Sequence, residues 1–247
     1  VLKPRNSYME TPATCASQGA VLHAGRDLSL RLAAKLGSLS EADFWAARPR
    51  LRAELLRTAA ASDSVELVER LCQAGARCGG TKAGGSSPLV AAVEAGAARV
   101  AEHLADVVGV KGQVVRGGQS LLHLAAAEGH VGIAELLLRR GLDPSAADAS
   151  PMRNSPAFLA AWHGHLGVLK LLLAKGAEPG QANAEGLRLW HLAALESYFY
   201  VIDYLHGLVR FDLDEFLEWS RRANAPSALI SFIQTRIGRR TARRKEL

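Results

Sequence analysis

Apolar residues along this chain recur at three- and four-residue intervals in short bursts, separated by Gly, Pro and small polar residues. Val65, Leu67, Val68 and Leu71 form one burst, Val100 and Leu104 another, Ile133, Leu136 and Leu137 a third, and Val201, Ile202 and Leu205 a fourth. That interval marks one face of an α-helix and predicts amphipathic helices at each burst. Ahead of these helices lie stretches with almost no side-chain bulk, such as Leu124-Ala125-Ala126, which predict a second kind of helix that a neighbour can approach closely. A Ser followed by Pro opens such a helix, with the hydroxyl as N-cap and the ring at the first helical position, where no donor is lost. Gly129 ends one helix and Gly141 the next, because Gly accepts the left-handed conformation of a helix C-terminus. The predicted unit is a helix-turn-helix hairpin followed by a polar finger. Alone it cannot bury its apolar face, whereas stacked copies can.

The unit is written twice almost letter for letter, from Ser120 to Asp143 and from Ser155 to Glu178. The Ala pairs (Ala125-Ala126, Ala160-Ala161), the Gly-His turns (Gly129-His130, Gly164-His165) and the Leu triplets (136–138, 171–173) register these copies at an offset of 35 residues. Weaker copies fall on the same frame. Leu89 follows Leu56 by 33 residues and Leu122 follows Leu89 by 33, while the fifth copy restarts at Arg188, 33 after Ser155. Three copies lack Gly-His: Asp63-Ser64 stands in its place in the first, Gly96-Ala97 in the second and Ser197-Tyr198-Phe199-Tyr200 in the fifth. A fixed period of this length signals a stacked-repeat architecture.

These letters resemble the ankyrin repeat, with its Thr-Pro-Leu-His-x-Ala-Ala opening, Gly-His turn and Leu-Leu-Leu run before Gly-Ala. The resemblance implies an all-α solenoid of stacked helix-turn-helix units with atypical N- and C-terminal helical caps. About five repeats are expected over residues 52–210, near 54–86, 87–119, 120–154, 155–187 and 188–211. Residues 1–25, mixing Pro4, Pro12, Ser, Thr and Gly, predict an extended or disordered lead-in. Leu28, Leu32 and Leu36 share a helical face, and Ser40 to Asp43 has the form of a capping box before Phe44 and Trp45, so 26–51 is expected to be an N-terminal cap closed by Pro49. Residues 212–235, with Phe216, Leu217, Trp219 and, after Pro226, Leu229, Ile230, Phe232 and Ile233, predict two shorter helices as a C-terminal cap. A mobile basic tail is expected over 236–247. Insertion 148–154 lengthens the finger after the third repeat, and such insertions map to loops on one face.

Composition narrows the function. The hydrophobic fraction of 49% supports a sizeable core, and no apolar run reaches the length of a membrane span. The chain starts at Val1 without the basic-then-apolar start of a signal peptide, and the three cysteines, Cys15, Cys72 and Cys78, include no Cys-x-x-Cys. An intracellular, cytoplasmic and reducing setting is therefore expected, with an organelle interior after presequence removal as the alternative. Cys72 is expected as a small buried hydrophobe and Cys78 as an exposed thiol. The net charge of +6 is local: Arg236, Arg239, Arg240, Arg243, Arg244 and Lys245 fall in the last twelve residues, and the rest of the chain holds 24 basic against 23 acidic residues.

No catalytic signature appears. His163 and His165 are two apart and do not face each other on a helix, and there is no His-Glu-x-x-His or Cys/His quartet, so neither metal nor cofactor is expected. The stretch from Gly79 to Ser86 has the composition of a phosphate-cradling loop without its order. The resemblance puts His123 and His191 at a position where the imidazole bonds neighbouring backbone. It also implies that a protein partner meets the finger tips and the variable positions just after each Ala pair. By carry-over these are Glu94, Glu128, Trp162, His163, Leu195 and Glu196, with Phe158, Met152 and Arg153 beside them. The expected function is a non-enzymatic interaction scaffold, an adaptor or accessory subunit of a larger assembly, with no small-molecule substrate. The alternatives are nucleic-acid, ribosome or anionic-membrane association through the Arg-rich tail, and a ubiquitin-ligase substrate adaptor with a degenerate SOCS-like C-terminus.

Overall fold

The computed structural model describes residues 49–73, 76–79 and 87–245, with backbone alone for 49–52, 116 and 239–245. The expected lead-in, most of the N-terminal cap with Leu28, Leu32 and Leu36, Cys15, and the finger beyond Gly79 lie outside the described residues. Those residues form α-helices and no strand, with isolated bridge positions such as Ala182 to Arg188.

The helices are α1 (Pro49–Ala61), α2 (Val65–Gln73), α3 (Pro88–Glu94), α4 (Ala98–Val108), α5 (Leu121–Glu128), α6 (Val131–Arg139), α7 (Pro156–Trp162), α8 (Leu166–Ala174), α9 (Leu189–Leu195), α10 (Phe199–Val209), α11 (Leu213–Arg222) and α12 (Ser227–Lys245). Pro49 opens α1 at a position where proline costs no hydrogen bond. Ser87 caps α3 by accepting the Val90 N–H at 3.2 Å, with Pro88 next to it in the first turn. From α3 to α10 shorter first helices alternate with longer second helices, whereas α1, with 13 residues, is longer than α2, with nine.

Two compact units result. One holds α1 to α4 and residues 132–142; the other holds residues 116–131 and everything from 143 onward. In the former, α1 packs on α3 and α2 on α4. Ala59, Ala60 and Ala92 are at most 1% exposed, so the first helices approach across small side chains, while Val68, Leu71, Val100 and Leu104 fill the second layer. Polar pairs about one repeat apart tie the second helices: His103 Nδ1 lies 3.5 Å from the Glu69 carboxylate, and Arg140 donates to Asp106 at 2.5 Å. The Arg140 guanidinium holds the Asp106 carboxyl below its usual range.

In the other unit α5, α7 and α9 pack in succession over the buried pairs Ala125-Ala126, Ala160-Ala161 and Ala193-Ala194. Lys170 lies 5.1 Å from the Tyr204 ring centre, and Arg236 pairs with Asp203, again about one repeat apart. The long finger is held by a buried polar network. Asp148 accepts from the backbone N–H of Ser150 and Asn154 and from the Ser150 hydroxyl, and Asn183 accepts from Glu185 and Leu187 N–H and donates to Asn154 Oδ1. His123 closes this network from α5. Its Nδ1 accepts the Ser120 N–H at 3.2 Å, which leaves the proton on Nε2, 3.0 Å from the Asn154 carbonyl oxygen.

Three expectations are corrected. The C-terminal region has two helices, α11 and α12, but the second is not short and is not followed by a separate tail from 236: α12 has 19 residues and crosses that position without a break. Nothing after Pro226 stops it, since Gln, Ala and Arg favour the helix and Gly238 costs only about 1 kcal/mol. Arg236 is half-buried, stacked over Phe232 at 5.5 Å and paired with Asp203, so it belongs to the packed body. Cys72 and Cys78 are neither buried hydrophobe nor free thiol but are joined as a disulfide, with Cα atoms 5.9 Å apart. The closing turn of α2 brings them together.

Candidate protein-binding surface

Most of the residues singled out from the sequence sit at the C-terminal ends of the first helices. Glu94, Glu128, Trp162 and Leu195 are the last residues of α3, α5, α7 and α9, and His163 and Glu196 are the C-caps that follow Trp162 and Leu195. Glu94 is exposed and lies in the other unit. Glu128, Trp162, His163, Leu195 and Glu196 are half-buried, on three helices packed in succession. Trp162 falls where the preceding repeat has Ala127 and the following one Leu195, so an indole with its N–H donor interrupts a row of small or aliphatic side chains.

Burial governs the electrostatics of this row. Desolvation raises the Glu128 carboxyl above its usual range, opposed by the charge of His130. Desolvation also lowers His163, helped by the neighbouring His165, and lowers His165 despite its bond to the Ala127 carbonyl. At neutral pH both imidazoles are uncharged. The rings of His163 and His165 lie 6.2 Å apart, and His165 Nε2 is 2.9 Å from the Ala127 carbonyl oxygen, a link between consecutive turns. Among the described residues no group of three or more His, Cys, Asp or Glu is placed to hold a metal ion. The row offers aromatic and aliphatic surface, neutral hydrogen-bonding rings and the carboxyls of Glu128 and Glu196.

Two of the expected surface residues are withdrawn. Phe158 is 1% exposed and Met152 9%, so both belong to the core. Phe158 points from α7 into the packed layer, and the Met152 carbonyl accepts the Ala184 N–H while Asn154 Nδ2 lies 3.9 Å from its sulfur. Arg153 is exposed at the finger tip with φ of 52°. In the Tyr-Phe-Tyr stretch Phe199 packs against α12, its ring 5.0 Å from Phe232, while Tyr200 turns back to donate to the Gly164 carbonyl oxygen. In the first turn of α9, His191 accepts the Arg188 N–H on Nδ1 and lies 4.3 Å from the Trp219 ring, within an aromatic cluster with Trp190, Phe211 and Phe216. Burial pushes its pKa down to about 4.

Repeated pairs of an alanine-rich helix and an amphipathic one, with polar fingers between, define a helical repeat protein. A family model described as ankyrin repeats (3 copies) matches residues 56–148 and 109–183, together just over half of the chain, and the chain belongs to the ankyrin-repeat family. No curated protein matches it. Ankyrin repeats are protein-interaction modules and typically not enzymes. No helix among the described residues is long and apolar enough to cross a membrane.

Proposed function

We propose that this protein is an intracellular adaptor or accessory subunit that holds a protein partner along the helix ends Glu128, Trp162, His163, Leu195 and Glu196. The observation carrying this reading is Trp162, a half-buried indole at a position occupied by Ala127 and Leu195 in the adjoining repeats. Trp buries much area with few rotors and is over-represented among residues that dominate binding energy. Neutral His163 and His165 add hydrogen bonding without the desolvation cost of a charge. Affinity purification of the intact chain identifies the partner. Trp162→Ala should then weaken binding by on the order of 2 kcal/mol with the helical circular-dichroism signal unchanged, and unaltered affinity would remove this surface from consideration.

A second reading concerns α12. Arg236, Arg239, Arg240, Arg243 and Arg244 recur at three- and four-residue intervals in a segment that is helical throughout. That spacing supports association of its C-terminal half with a nucleic acid. Phosphate contacts release counterions, so affinity for an RNA duplex should fall steeply with salt and vanish on deletion of residues 239–247. A flat salt response would leave the basic segment a solubilising one.

A further inference from the structure

We propose that Cys72 and Cys78 form a reversible thiol–disulfide site at the end of α2 that exchanges with small disulfides and dithiols. Cys72 lies in the last turn of α2 and Cys78 six residues on, and both are half-buried, within reach of a small thiol. Their meeting does not depend on the bond between them. The helix end closes through the Ala76 N–H to the Leu71 carbonyl oxygen at 3.0 Å, and the fourth repeat closes in the same way, Ala177 N–H to the Leu172 carbonyl oxygen at 3.0 Å. There the two equivalent positions are Leu173 and Pro179, and in the third repeat they are Leu138 and Pro144. The same backbone turn thus forms with side chains that cannot be linked, which means that reduction leaves the hairpin intact. The reduced state is also satisfied, because Cys78 Sγ lies 3.3 Å from the Ala76 carbonyl oxygen, an acceptor for its S–H.

The chemistry closes with a small disulfide as oxidant. One protein thiolate attacks an external disulfide such as oxidised glutathione, forming a mixed disulfide and releasing one glutathione thiolate. The second cysteine attacks the protein sulfur of that mixed disulfide, forming the Cys72–Cys78 bond and releasing the second glutathione. Two protein thiols have then been oxidised and one glutathione disulfide reduced. A dithiol reverses both steps.

Arg77 makes the test clean, because trypsin cleaves between the two cysteines and separates residues 71–77 from 78–82. The intact chain is equilibrated in glutathione buffers of graded poise, quenched in acid, alkylated and digested for mass spectrometry, with Cys15 as internal reference. The expected result is a disulfide-linked pair of peptides 71–77 and 78–82 whose ratio to the alkylated peptides changes about tenfold for each ~30 mV of poise, with Cys15 alkylated throughout. Dithiothreitol should abolish the linked pair and re-oxidation restore it. The proposal is overturned if both peptides are alkylated at every poise, if the pair survives excess dithiothreitol in the native protein, or if either cysteine links to Cys15 or to a second chain instead.

Discussion

The Tyr200 hydroxyl donates to the Gly164 carbonyl oxygen at 2.7 Å and thereby joins the turn after α9 to the turn after α7. This approach is possible only because residue 164 has no side chain. Its φ is +74°, and a Cβ there would lie 2.5 Å from the Tyr200 hydroxyl oxygen and 2.9 Å from the Tyr198 ring. Gly164→Ala should therefore cost roughly 2–3 kcal/mol, about 1–2 from the left-handed backbone and the rest from displacing two rings. Tyr200→Phe should cost only about 1 kcal/mol, the net worth of one hydrogen bond. Urea denaturation of both single variants and the double variant checks this. Because Tyr200→Phe also removes the nearest clashing atom, the double variant should lose less than the singles added together.

Asp148 supports the long finger from within. It is buried and accepts three hydrogen bonds, two of them from backbone N–H groups of the finger. Asp148→Ala strands those donors and should lower stability by about 2–3 kcal/mol. Asp148→Asn keeps an acceptor oxygen and should lose about half as much. Amide hydrogen exchange at Ser150 and Asn154 separates a loosened finger from global unfolding: it should quicken there before it quickens in α7.

The buried imidazoles set an acid limit. His191 and His123 both have pKa values below their ordinary value, chiefly because burial penalises the charged ring. A histidine depressed in the native state binds its proton more readily when unfolded, so its contribution to stability is fully present above pH 6.5 and is lost as pH falls towards about 4. For His191 the loss amounts to roughly 2–3 kcal/mol across that window. Glu128 works in the opposite sense, since its raised pKa makes the native state the better proton acceptor as pH falls. His191→Asn retains an acceptor for the Arg188 N–H but does not titrate. Urea midpoints of this variant should fall less between pH 7 and pH 4.5 than those of the parent, and equal falls would show that His191 does not carry the effect.

The period, the alanine pairs and the Gly-His turns were legible because each is a steric requirement repeated at fixed spacing. Asp63 and Tyr200 were not: they register only as departures from Gly-His, although in space each rebuilds a link between adjoining turns. Trp162 could be placed on a helix end from register alone, whereas the burial of Phe158 in α7 and of Met152 in the inserted finger is a matter of packing that the register does not show. Asp148 and Asn183 left a faint signal, a short polar side chain at the start of each turn leading to a first helix. The Cys72–Cys78 pairing left none, because a separation of six brings two side chains together only when a helix end closes between them.

Asp63 offers a ranking that tests how one repeat caps the next. Its φ is 55°, where the later turns place Gly96, Gly129 and Gly164, and its carboxylate accepts the Val100 N–H at 3.0 Å in the first turn of α4. Ala97, the N-cap of α4, supplies no side-chain acceptor, so the preceding repeat provides both the cap and a negative charge at the helix N-terminus. Asp63→Asn keeps the acceptor and tolerates the left-handed backbone, and should cost no more than about 0.5 kcal/mol, the contribution of the charge. Asp63→Gly loses the cap but relieves the backbone, for a net cost of about 0.5 kcal/mol. Asp63→Ala loses the cap and keeps the strain, and should cost about 2 kcal/mol. Denaturation midpoints with Ala well below both Asn and Gly would establish the inter-repeat cap, whereas equal values for Ala and Gly would mean that the backbone conformation at residue 63 carries no strain.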